Sequence, residues 1–413
     1  MEAIILSRHI ELLTTSPSQH GFKKPHSCAS CVRDLLGVVN QFTKSKSRVF
    51  LVFLDASKAF DKVVPSLLCS NLLDRGLPVD VVLLLKHYFD QSSGVVSFRG
   101  STGEKFRMSA GVRQGSILGG ILWNIYFDTL LRKLKDTRVG CQLGDSWSGA
   151  FAYADDLCLA SPTLSGLRQL AHITDTFSKS HQVRFNPSKS KLISVGTPFW
   201  CGAQIADQEV LICGSPVASS TQIRYLGFDL RVSSKGNLSI DVQGAIRSLF
   251  SSANSIIALP SCSNIPLRTR LIKAIALPCV DYALQLWCFI PAASKQKLHS
   301  AVMRVLRRTA LLHQRCSSDI ACAVAGIVTP SIRAGQLMSL TPIFGNCGRD
   351  ANNVLELRRY GLSPRTAART VFLRRISPDH IERARCISGL HCKHDRFAVA
   401  MARNISMPSS LVD

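Results

Sequence analysis

Acidic residues are scarce in this 413-residue chain, where 27 Asp and Glu face 50 Lys and Arg for a formal net charge of +23 at pH 7. That imbalance favours a polyanionic partner, nucleic acid above all, because cations that neutralise phosphates release counterions. Attraction to anionic membranes and simple solubility are the competing readings. No run of eighteen uninterrupted apolar residues occurs, and even the stretch from Leu277 to Ile290 carries Asp281, so neither a membrane span nor a membrane partner is expected. The N-terminus has a short apolar run and an acid, Glu2, where a secretory signal wants a base, which argues against export. No internal repeat and no long low-complexity tract is present, which excludes solenoids and repeat arrays.

The fifteen cysteines form no small-domain framework, and an odd count leaves at least one unpaired. A reducing, intracellular setting, nuclear or cytoplasmic, is therefore expected. Cys28-Ala29-Ser30-Cys31 is a CxxC without the second pair that a zinc site needs. Cys386, His391, Cys392 and His394 make a looser cluster read as surface residues. A hydrophobic content of 46% over this length allows two or three domains with substantial cores.

Three aspartates concentrate the chemistry. Val49-Phe50-Leu51-Val52-Phe53-Leu54 is continuously apolar, as suits a central strand covered on both faces, and Asp55 ends it. Phe151-Ala152-Tyr153 and Leu157-Cys158-Leu159 meet at Ala154-Asp155-Asp156, the pattern of a tight antiparallel hairpin with both carboxylates at its turn. Magnesium takes oxygen ligands and binds through one or two carboxylates plus substrate phosphates. Three carboxylates can hold two such ions, or Mn2+ in their place, roughly 3.5 to 4 Å apart for an in-line phosphoryl transfer. The structural alternative is an Asp pair bonded to backbone amides of its own turn.

Apolar spacing predicts helices over much of residues 1 to 48, between Leu67 and Tyr88 with a break at Gly76-Leu77-Pro78, from Ile117 to Leu134, and from Leu164 to His181. Short strands at Val95–Phe98 and Lys105–Met108 flank the turn-rich Gly100–Gly103. After the polar segment Val232–Asn237 the periodicity is helical to about Leu312, with Arg304, Arg307 and Arg308 on one side. Arginines 358, 359, 365, 369, 374, 375, 383 and 385 make the C-terminal region strongly basic.

These motifs, in this order, resemble the reverse transcriptases of non-LTR retrotransposons, whose relatives include the group II intron enzymes. Gln19-His20-Gly21-Phe22-Lys23-Lys24 is similar to the family's fingers motif, with lysines where arginine is more usual. Phe53–Val63 resembles the first catalytic motif, Gly111–Leu131 the Gln-Gly motif, FAYADDL the second catalytic motif, Asn186-Pro187-Ser188-Lys189 the segment that follows it, and Tyr225-Leu226-Gly227-Phe228 the hairpin that positions the primer end. Gly120 stands where a proline is usual. Asp281-Tyr282, Trp287 and the basic helix ending at Arg308 resemble a thumb more loosely.

The resemblance implies an α+β right-hand polymerase: partial fingers over residues 1–48, a palm of antiparallel sheet flanked by helices with finger insertions over 49–231, a helical thumb over 240–313, and a basic region of unassigned role over 314–413. It implies an RNA template, a DNA primer and deoxynucleoside triphosphates as partners. Asp55, Asp155 and Asp156 would hold the metals, while Phe60, Gln114, Gly115 and Lys189 would meet the nucleotide. Lys23, Lys24, Arg113, Tyr225, Leu226 and Gly227 would meet nucleic acid. For Phe60 the competing role is packing; for Gln114, bridging its own turn; for Lys189, an ordinary surface lysine. The family's upstream Arg-Pro-Ile strand and endonuclease are missing from the sequence, so an N-terminally truncated element is expected. An inactive nucleic-acid-binding remnant and an intron maturase are the rival functions.

Overall fold

The run Val49–Leu54 forms strand β1, and all six of its residues are buried. Each such side chain contributes about 1.5–3 kcal/mol by leaving water, and a strand screened on both faces has no use for alternation. The computed structural model describes residues 1–196, 209–259 and 264–339. The chain divides into two compact units, one ending at Leu238 and one beginning at Ser239.

Among its described residues the first unit contains six α-helices in chain order: α1 (Glu2–His9), α2 (Cys28–Lys44), α3 (Pro65–Asp74), α4 (Val79–Asp90), α5 (Gly119–Asp136) and α6 (Leu164–His181). After β1 come strands β2 (Ser93–Phe98), β3 (Ser101–Arg107), β4 (Ala150–Tyr153), β5 (Asp156–Ser161), β6 (Lys191–Val195), β7 (Ala218–Ser219), β8 (Gln222–Tyr225) and β9 (Phe228–Val232). The main sheet runs β7-β6-β1-β5-β4. Its β6-β1-β5-β4 pairings are antiparallel. At the edge, β7 joins β6 in parallel, so the antiparallel sheet expected from the sequence gains one parallel border.

Helices cover this sheet because their apolar residues recur at helical spacing. Helix α2 is capped by Ser27 and Ser30 in a reciprocal capping box and buries Val32, Leu35, Leu36, Val38 and Val39. Helix α5 buries Trp123, Tyr126, Phe127, Leu130, Leu131 and Leu134. Thr163 caps α6 through its side chain, and α6 packs on β5 and β1. The β2–β3 hairpin turns at Arg99-Gly100, both at positive φ, so its turn is tighter than the four residues expected and Gly103 lies within β3.

From Gln243 onward the described part of the second unit is helical: α7 (Gln243–Ile257), α8 (Ile265–Leu271), a π-helical turn over Ile272–Ala276, α9 (Leu277–Leu284), α10 (Ala292–Thr309), α11 (Ser318–Ala325) and α12 (Pro330–Ser339). Asp281 takes two hydrogen bonds from Arg333, at 3.0 and 2.7 Å. Trp287 is buried beneath Lys295. On α10, Arg307 donates to the Cys316 carbonyl at 2.8 Å, Arg308 to Asn254 at 2.7 Å, and Arg304 lies over the Phe250 ring. The Cys386–His394 cluster and the arginine run from 358 to 385 lie outside the described residues.

Candidate active site

Asp55 follows the last residue of β1, and the pairing of Leu54 with Leu157 places it across from Asp156, the first residue of β5. Tyr153 pairs with Asp156, which leaves Ala154 and Asp155 as a two-residue turn. Asp155 thus stands in the turn and Asp156 on the strand. The three carboxylates feel one another. Burial first, then the charges of Asp155 and Asp55, push Asp156 up to about 6. Burial and the Asp55 charge also raise Asp155.

Lys189 reaches the same corner, with its Nζ 3.5 Å from Asp55 Oδ2. It is presented by a local turn in which Asn186 Oδ1 accepts from the Ser188 amide at 3.1 Å and the Ser188 hydroxyl at 2.7 Å. The Asn186 amide donates to the Asp55 carbonyl at 2.9 Å, fixing that turn to the end of β1. Asn-Pro-Ser-Lys therefore works as a unit: the Asn side chain folds the turn, and the turn delivers the lysine.

The acidic hairpin is held from outside itself. Gln19 is fully buried; its Oε1 accepts from the Ala154 and Gly21 amides, both at 2.9 Å, and its Nε2 donates to the Ala154 carbonyl at 3.1 Å. The neighbouring main chain lies along β4, the His20 amide donating to the Ala152 carbonyl at 2.7 Å and the Ala152 amide to the Ser18 carbonyl at 2.8 Å. A Cβ on Gly21 would come within 2.4 Å of the Ala154 nitrogen, so only glycine lets the loop approach this closely. Ala154 has φ +56°, a left-handed conformation that costs a non-glycine residue roughly 1–3 kcal/mol.

The Gln19 loop is anchored in turn on the buried Asp128 of α5. Asp128 accepts from the Ser16 amide at 2.7 Å, from Arg132 Nε at 2.7 Å, and from Arg75. Asn124 Nδ2 donates to the Gly21 carbonyl at 2.7 Å. Helix α5 thereby positions a loop that positions the acidic turn.

A cavity of about 710 Å³ is lined by Phe22, Lys24, Phe60, Arg113, Gln114, Gly115 and Tyr153, among others. Phe60 and Tyr153 lie five residues after Asp55 and two before Asp155, so the chain itself brings the cavity beside the carboxylates. The Phe60 ring stacks on Trp123, centroids 5.4 Å apart, and meets Phe22 edge-on at 5.9 Å. Gln114 Nε2 donates to Asp61 at 3.3 Å, a partner beyond its own turn. Gly115 has φ +78°, and a Cβ there would meet nothing. Arg113 is exposed and lies over the Tyr88 ring.

Two expected nucleic-acid contacts turn inward. The Tyr225 side chain is buried, its hydroxyl donating to the Phe151 carbonyl at 3.2 Å and its ring set edge-to-face with Phe53, centroids 4.9 Å apart. It backs the acidic hairpin, and the Leu226-Gly227 turn between β8 and β9 is what faces outward, with Gly227 exposed. Lys23 donates to the Thr15 and Ser16 carbonyls at 2.8 and 2.6 Å, and burial lowers its pKa. Lys24 beside it is exposed. Gln19, Asp128 and Tyr153 carry parts of this arrangement that sequence reasoning did not assign. The available signal was Asp128, a carboxylate set among the apolar residues of an aromatic-rich helix.

Divalent metal is what this chemistry implies. Among the described residues no group of three or more His, Cys, Asp or Glu side chains could by itself hold an ion. The donor set nonetheless fits magnesium, which leaves most of its coordination to water and substrate phosphates. Three hard oxygen donors that repel one another are relieved by a cation.

The family model described as reverse transcriptase (RNA-dependent DNA polymerase) matches residues 1–230. Similar curated proteins include the Pol polyprotein of the type-2 retrotransposable element R2DM of Drosophila melanogaster, 27% identical over 55% of this chain and 22% of that protein. The R2 element polyprotein of Nasonia vitripennis is 28% identical over 54% of this chain and 23% of its own length. The RNA-directed DNA polymerase of the mobile element jockey, also from D. melanogaster, is 23% identical over 75% of this chain and 34% of its own length. The chain thus spans about a fifth to a third of these relatives. A Candida albicans telomerase structure, in complex with a fragment of telomeric RNA, is 10% identical with a TM-score of 0.46 over 94% of this chain and 57% of that one. By the match over its first 230 residues, more than half its length, the chain belongs to the reverse transcriptase family.

Proposed function

We propose that this chain is the polymerase part of a non-LTR retrotransposon protein, an RNA-directed DNA polymerase that extends a DNA primer on an RNA template inside the cell. The primer 3′-hydroxyl attacks the α-phosphate of a deoxynucleoside triphosphate, forming the new phosphodiester and releasing pyrophosphate. The convergence of Asp55, Asp155 and Asp156 at adjoining strand ends, where the charges of Asp55 and Asp155 raise the proton affinity of Asp156, is the observation that carries this reading. Two magnesium ions, or manganese in their place, would supply hydroxyl activation and charge neutralisation when bound by these three residues.

The remaining roles fall to the chain's own geometry. Phe60, braced by Trp123, forms the wall against which a ribose 2′-hydroxyl would collide. Gln114 and Gly115 offer an exposed amide and open backbone to the nucleotide. Lys189, beside Asp55, stands to neutralise or protonate the leaving phosphate. Lys24 and Arg113 suit phosphate contacts, and the Leu226-Gly227 turn suits the primer end. In this reading residues 1–48 serve as fingers, 49–231 as palm and 240–313 as thumb.

Primer extension on an RNA template with Mg2+ tests the proposal. Extension by the wild-type chain that falls on the order of 10³-fold in Asp155→Asn and Asp156→Asn supports it. Tight RNA binding without extension would instead leave a nucleic-acid-binding protein of this fold.

A further inference from the structure

We infer that Gln19 is a positioning residue for the acidic hairpin, fixing where Asp155 and Asp156 stand relative to Asp55; the inference rests on the polymerase reading above. Its carboxamide takes both backbone polar groups of Ala154, the amide at 2.9 Å and the carbonyl at 3.1 Å. In a free two-residue hairpin turn those groups face solvent. Here one buried side chain satisfies them both, while the same Oε1 also accepts from the Gly21 amide at 2.9 Å.

The hold is built on several independent attachments. The Gln19–Ala152 bridge extends the sheet beside β4, and Gly21 presses against the Ala154 nitrogen. Asn124 holds the Gly21 carbonyl and Asp128 holds the Ser16 amide, each at 2.7 Å. The hairpin tip is thus gripped at residue 154, immediately before the two carboxylates. Ala154 sits at φ +56°, a conformation that surrounding structure must impose. Two like-charged groups facing a third at the end of β1 would separate if the tip were released.

Gln19→Met, of equal length and without hydrogen bonds, removes the grip. Gln19→Glu, buried and so held in its neutral acid form, keeps the acceptor contacts and offers an O–H of different reach in place of the N–H to the Ala154 carbonyl, and guards against failure of the first variant to fold. Two readouts on the full chain decide the matter. Single-turnover incorporation should fall on the order of 100-fold in Gln19→Met, as for a small misplacement of reacting groups, with triphosphate affinity changed less than about threefold. Gln19→Glu should lie between it and wild type, and Gln19→Met should need more Mg2+ for half-maximal rate.

Amide hydrogen exchange, which needs no activity, should accelerate about tenfold or more across residues 151–156 in Gln19→Met while α6 exchanges as before. Wild-type-like incorporation or unchanged hairpin exchange in both variants overturns the inference. If wild type incorporates nothing, the polymerase reading fails by itself, and the exchange comparison still decides whether Gln19 holds the turn.

Discussion

The Phe22 ring lies over Gly120 so closely that a Cβ on residue 120 would come within 2.5 Å of its ring carbons. The glycine at a position where a proline is usual is thereby matched by its neighbour. Gly120 lies in the first turn of α5, where alanine gains about 1 kcal/mol in helix propensity. Gly120→Ala should therefore stabilise a Phe22→Ala background and fail to stabilise the wild type. A double-mutant cycle by urea unfolding should give a coupling of about 1 kcal/mol; additive effects would contradict the contact.

Asp128 is fully buried and answers to Arg75, Arg132 and the Ser16 amide. Asp128→Ala leaves two guanidiniums without their carboxylate and frees the loop that carries Gln19. Breaking a buried pair on one side costs roughly 3–5 kcal/mol, discounted here because Arg132 is 59% exposed. A loss of about 3 kcal/mol in the unfolding of the first unit is expected.

Lys189→Ala should slow single-turnover nucleotide incorporation at least about tenfold, whereas Lys189→Arg, which keeps the charge, should recover part of the rate. The ion pair with Asp55 is 66% exposed on the lysine side, and such pairs contribute about 0–1 kcal/mol to stability. Thermal unfolding of both variants should consequently match wild type, so a rate effect would be chemical.

Phe60→Ala should admit ribonucleotides. Discrimination, measured as the ratio of kcat/KM for deoxy- and ribonucleoside triphosphates, is expected to fall by at least about tenfold. Because Phe60 also stacks on Trp123, Phe60→Leu should keep more of the fold and still widen the site.

His20 gives the first unit an acid sensitivity. Burial, then His26 and Lys23, push its pKa down to about 4; Asp34, 3.8 Å away and half-exposed, does not offset this. The unfolded chain takes up a proton near 6.5 and the folded one only near 4, so stability is full above 6.5 and drains away as pH falls towards 4. Melting temperature followed between pH 7 and 4.5 should drop less steeply in His20→Gln than in wild type.

Much of this architecture was readable from local pattern. Strand β1 is a continuous apolar run with a charged end, α6 carries its apolar residues at helical spacing, and the aspartate hairpin joins two short apolar runs; each signal is contained within one element. What escaped depends on distant partners. Tyr225 sits in a turn motif, and nothing local says that its ring faces Phe53, 172 positions earlier. Lys23 reads as a surface cation until Thr15 and Ser16 turn their carbonyls towards it. Strand β7 is two residues long, too short for any periodicity, and Asp128 becomes a hub only when α3 brings Arg75 alongside.

The pairing of Tyr153 with Asp156 across two intervening residues makes the segment intolerant of length change. Adjacent strand residues point to opposite faces, so one inserted residue would turn Asp156 away from the corner it shares with Asp55 and drive a carboxylate towards Leu157 and Leu159, both fully buried. Drift in this stretch should therefore proceed by replacement, because a single-codon insertion or deletion here would break the register that sets the aspartates side by side.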